Sequence, residues 1–116
     1  MRKLIIVLIA SASLWTVSLA AAQKDQTFTG EIMDQQCAVQ GGHSAMMNPG
    51  ESAKDCTNKC VSAGGQYVLF DSAAKTFHLL DDQDKPQAFA GAKVQVTGTY
   101  DKSSNTIHVS SIKAGS

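Results

Sequence analysis

A mainly β fold, a small barrel of five strands with one inserted helix, is predicted by three features of the sequence. Five segments have strand length and either alternate in polarity or run apolar: 27–34, 66–70, 76–80, 93–100 and 106–112. Turn-forming clusters at 71–75 and 101–105 join four of them into two hairpins. Gly30 and Gly98 interrupt two strands where a closing sheet must bend.

In the first strand Phe28, Gly30 and Ile32 share a face, and Asp34 ends it. Residues 35–48 show no sustained period, and Gly41, Gly42, His43, Met46 and Met47 mark them as a long loop. A helix is expected over 49–63: Asn48 can cap it, Pro49 suits its first position, Glu51 sits where a capping box needs it, and Gly64 and Gly65 close it. Cys56 and Cys60 then lie one turn apart on one face with Ala53 and Ala63, while Lys54, Asp55, Asn58 and Lys59 face water.

The second strand, with Tyr67, Val68, Leu69 and Phe70, is apolar on both faces. It pairs with the third, on which His78 is read as outward, as is His108 on the fifth; neither is given a role. A connector over 81–91 ends in a short helical turn whose Phe89 plugs the core, and Asp81, Asp82 and Asp84 in it lack calcium-loop spacing. The fourth strand turns Val94, Val96, Gly98 and Tyr100 inward. In the fifth, Ile107 and Val109 share a face and Ile112 falls out of phase, which calls for a bulge near Ser110. This order matches an OB-like Greek-key barrel with the helix inserted between the first and second strands, and with Ile32, Leu69, Val94, Val96, Ile107 and Val109 in the core.

The first 22 residues stand apart from that domain. Met1-Arg2-Lys3, an apolar stretch from Leu4 and the small residues Ala20-Ala21-Ala22 read as a secretory signal peptide, too short and too interrupted by Ser11, Ser13, Thr16 and Ser18 for a stable membrane anchor. Removing residues 1–22 from 116 leaves 94, a single domain over 23–116 with its Cys/His insertion at about 35–65. Loss of Arg2 and Lys3 from 10 basic residues leaves 8 against 10 acidic ones, which excludes a nucleic-acid partner and leaves a small ligand or an envelope protein. The expected location is periplasmic or secreted.

A domain of this size buries only about 60 to 65% of its unfolded surface, so its three cysteines matter. Cys37, His43, Cys56 and Cys60 follow the spacing C-x5-H-x12-C-x3-C. Two thiols one helical turn apart, with a loop able to fold Cys37 and His43 over them, form a candidate tetrahedral site for zinc, or for copper(I) in a trigonal subset; Met46 and Met47 are further soft donors. The competing role is a disulfide from Cys37 to Cys56 or Cys60, worth roughly 3 kcal/mol in the chain-entropy model. A redox-active thiol is the third. No nucleophile elbow, phosphate loop or zinc-protease motif occurs, so thiol exchange is the one catalysis these residues support; a non-enzymatic binding or envelope-stress module is the favoured function, and a thiol-dependent redox or copper-handling periplasmic protein the alternative.

Residues 29–34 followed by Cys37 and His43, the run from Cys56 to Val61, Gly65, Tyr67-Val68-Leu69 and residues 94–99 resemble an uncharacterised bacterial family. Its members are small exported proteins, frequent in Acidobacteria and known as a domain of unknown function. The resemblance implies export and a β-barrel, and it directs attention to Cys37, His43, Cys56 and Cys60.

Overall fold

The computed structural model describes residues 23–115; the signal peptide expected over 1–22 lies outside the described residues. The elements are β1 (Gln26–Asp34), α1 (Gln35–Val39), a 3-10 turn (His43–Ala45), α2 (Ala53–Ser62), β2 (Tyr67–Asp71), β3 (Thr76–Leu80), a second 3-10 turn (Lys85–Phe89), β4 (Lys93–Asp101) and β5 (Thr106–Ala114). The strands close into a barrel in the order β1-β2-β3-β5-β4, with β4 returning to β1. Every neighbouring pair is antiparallel except β3 and β5, which are parallel. This is an OB-like Greek-key barrel, and both helices lie between β1 and β2.

Alternation puts Ile32, Leu69, Val94, Val96 and Ile107 in the barrel core, all but Leu69 with no exposed surface, and Val109 packs against them half-buried. Phe89 caps the same core, as its position in the connector predicts. The expected slip in β5 is present: Gly98 faces Val109 while Thr97 faces Ser111, so Ser110 is the extra residue of a bulge. Close backbone approach explains the two bend glycines. A Cβ on Gly98 would strike the carbonyl oxygen of His108, and one on Gly30 would lie 2.5 Å from that of Phe70.

Three expectations are corrected. Residues 35–48 are not a structureless loop: α1 occupies their start, capped by Asp34, whose Oδ2 accepts from the Gln36 N–H at 2.9 Å. Five helical residues are too few to show a period in sequence. The second helix begins at Ala53 rather than residue 49, with Ser52 Oγ accepting from the Asp55 N–H at 3.1 Å. The expected Asn48–Glu51 box does form, Glu51 Oε2 accepting from the Asn48 N–H at 2.9 Å, but Gly50 at φ +80° turns the chain between it and the helix.

His78 is the third correction. It pairs with Leu69 and faces inward, edge-on to Phe28 and Tyr100 with ring centroids 5.5 and 5.0 Å away. Its Nδ1 lies 2.6 Å from Asn105 Oδ1. The outward residues of β3 are Phe77 and Leu79, which pack under the inserted segment, so polarity does not mark the faces of this strand. His108 is exposed as expected and pairs with Asp81 at 3.1 Å.

Val96 has no exposed surface, so Val96→Ala removes buried methyl groups and leaves a cavity at the centre of the barrel. A loss of about 2 kcal/mol is expected, seen as a lower urea midpoint at unchanged slope.

Candidate metal centre

The insertion covers the outer face of the barrel. Met33 of β1 and Val68 and Phe70 of β2 point away from the barrel core and form a second core with Cys37 and Ala38 of α1 and Cys56 of α2. Phe77, Leu79, Met46, Met47 and Cys60 pack around it. Apolar side chains on the outside of a barrel need cover, and the two short helices supply it.

That packing gathers the three thiols. Cys37 stands three residues after the cap of α1, Cys56 in the first turn of α2 and Cys60 one turn later. Their Sγ atoms all lie within 4.8 Å of one another, and the cysteines are free. Cys37 and Cys56 have no exposed surface, whereas Cys60 is half-buried and opens the cluster to solvent. Burial pushes the Cys37 thiol up to about 12, with the charges of Cys56, Cys60 and Asp34 acting in the same direction. Cys60 is raised by burial first and by Asp34 second.

Asp34 ends β1 as expected and, rather than supporting a ligand histidine, lies beside the thiols themselves. It is fully buried; Oδ2 caps α1, while Oδ1 has no hydrogen-bond partner. A Cβ on Gly65 would strike that oxygen and come 2.9 Å from the carbonyl oxygen of Cys60, so Asp34 is wedged between the ends of the two helices. Thr57, between Cys56 and Cys60, is also fully buried with Oγ1 unpartnered. Asp34 lies three residues before Cys37, the spacing of a cap to the third helical position, and that was the available signal.

His43 goes elsewhere. Gly41 and Gly42, at φ +87° and +143°, turn the chain so that the imidazole meets β1, with Nε2 2.9 Å from Glu31 Oε1. The histidine is not among the groups whose ligand atoms gather with the sulfurs. Of the four residues singled out in the sequence, the fold brings together Cys37, Cys56 and Cys60 and sets His43 against Glu31. Met46 and Met47, from the same loop, cover the second core.

Comparison with family models, with curated proteins and with solved structures returned no match. Among the described residues no helix is long and apolar enough to cross a membrane.

A thiol whose value is higher folded than unfolded stabilises the fold fully below its unfolded value, about 8.5, and ceases to do so as pH rises toward 12. The reduced, metal-free protein is therefore expected to lose stability above about pH 8.5. In Cys37→Ala the urea midpoint should be lower throughout but change less over that range. A wild-type midpoint flat to pH 10.5 (roughly two units above the unfolded thiol value) would contradict the burial of Cys37.

Proposed function

We propose that the chain is an exported, non-enzymatic binding domain whose insertion holds a soft metal ion, copper(I), through the Sγ atoms of Cys37, Cys56 and Cys60. The observation that carries this reading is the gathering of three sulfurs within 4.8 Å of one another by two separate helices. A trigonal thiolate set satisfies copper(I), whereas a structural zinc needs a fourth donor, and the imidazole expected to supply one is held by Glu31. The half-buried Cys60 gives the ion a way in, and thioethers at Met46 and Met47 line the same core with soft atoms. Export is supported by the signal-like residues 1–22 and by the resemblance to small exported bacterial proteins.

Loading displaces thiol protons against the neighbouring carboxylate. Copper(I) affinity therefore rises with pH, and Asp34→Asn, which keeps the helix-capping oxygen, strengthens binding at neutral pH by removing a negative charge. A second reading rests on the same closeness: in an oxidising compartment Cys37 could be joined to Cys56 or Cys60 as a staple.

Titration of the reduced protein with copper(I) against a competing chelator tests the choice. One ion per chain is expected. Each of Cys37→Ser, Cys56→Ser and Cys60→Ser should weaken binding by about a hundredfold, roughly 2.8 kcal/mol. His43→Ala should leave affinity unchanged. Binding by the reduced wild type no tighter than by the triple serine variant, together with a Cys37 disulfide in protein recovered from the periplasm, would replace the metal reading with the staple.

A further inference from the structure

β1 is paired unevenly along its length. Its ladder with β4 spans Gln26 to Glu31, while its ladder with β2 covers only Glu31 to Asp34. Residues 26–30 therefore have a registered strand partner on one side alone, with the Phe70 carbonyl of β2 lying against Gly30 at the end of this stretch. Ile32 donates its N–H to the Ala92 carbonyl at 3.1 Å and accepts from the Gly91 N–H at 2.8 Å on the β4 side, and Gln35 donates to the Gln66 carbonyl at 2.9 Å on the β2 side. Backbone groups alternate along a strand, so Thr27 and Thr29 turn their N–H and C=O toward the side where β2 has already turned away. Among the described residues neither finds a partner there.

Free edges are ordinarily blunted by Lys, Pro or a bulge, because an unprotected one recruits another strand. Gln26-Thr27-Phe28-Thr29-Gly30 contains none of these and no charged side chain. Beside it lies a cleft of about 310 Å³ lined by Thr27, Phe28, Thr29, Leu69, Asp71 and His78. Two of its lining rings, Phe28 and His78, pack edge-on with centroids 5.5 Å apart, and Tyr100 packs against both at 5.8 and 5.0 Å. The inward-facing His78, to which the metal reading gives no task, thus forms part of a surface next to an open backbone edge.

We infer that residues 26–30 of β1 dock an extended, uncharged segment of a partner protein, which adds as an antiparallel strand. In that register the partner residue opposite Phe28 points inward, onto the Phe28, Leu69 and His78 floor, and an aromatic or branched apolar side chain fits it. The partner residues opposite Thr27 and Thr29 face outward and exchange main-chain hydrogen bonds, so small polar side chains suffice there. The site is distinct from the thiol cluster and does not depend on metal.

A set of acetylated, amidated heptapeptides, Thr-X-Thr-X-Thr-X-Thr with the central X varied, tests this on the wild-type protein by fluorescence anisotropy. Tightest binding is expected for Phe, Tyr, Ile and Val, with Asp and Lys at least tenfold weaker. Amide signals of Thr27 and Thr29 should shift and exchange with solvent at least tenfold more slowly in the complex. N-methylation of the peptide amides that face β1 should abolish binding without altering the protein. Three results would overturn the inference: no member binding below about 1 mM (a free energy of about −4 kcal/mol), equal binding of the N-methylated peptide, or a concentration-dependent dimer in which the Thr27 and Thr29 amides are already protected by a second copy.

Discussion

Burial of β2 on both faces is the constraint on which the rest of the structure depends. Leu69 points into the barrel core while Val68 and Phe70 point out of it, and all three are buried. A five-stranded barrel with that outer surface in water would expose a contiguous apolar patch. The segment between β1 and β2 exists to cover it, and the cover positions the chemistry, since two of the three thiols are themselves core residues of the second layer. Barrel stability and thiol geometry are consequently coupled through one strand: a change at Leu69 acts on the barrel, and a change at Val68 on the sulfurs.

Within that cover the electrostatics are under tension. A fully buried carboxylate with one unpartnered oxygen sits beside thiols that burial already keeps protonated. Asp34 caps α1, while its charge raises the Cys37 and Cys60 thiols and so opposes the thiolate state that metal binding would need. Cys37 and Cys60 are therefore held toward the thiol form in the metal-free cluster, and copper(I) ligation would have to supply enough energy to expel their protons. Glu31 and His43 pin the loop that carries Met46 and Met47 over the same core.

Much of the barrel was legible in sequence because it rests on period-two alternation, which holds wherever one face of a strand is wet. β4 was read correctly in its inward set, and the phase slip at Ile112 located the bulge at Ser110. Legibility failed where a second layer removes the polarity difference. On β3 both faces are covered, so polarity alone set His78 on the surface face although it points inward. α1 was invisible because five residues carry no period, and the start of α2 was misplaced because Gly50 breaks a run whose capping signals are otherwise sound. Of the candidate site, the thiols came together as helical spacing suggests, but no sequence spacing could reveal that two left-handed glycines send His43 to Glu31.

X-ray absorption at the copper edge of the reduced, copper(I)-loaded protein reads the first coordination shell directly. Three sulfur scatterers with no nitrogen or oxygen are expected, unchanged in His43→Ala. A shell containing an imidazole nitrogen, or only two sulfurs, would contradict a site built from Cys37, Cys56 and Cys60.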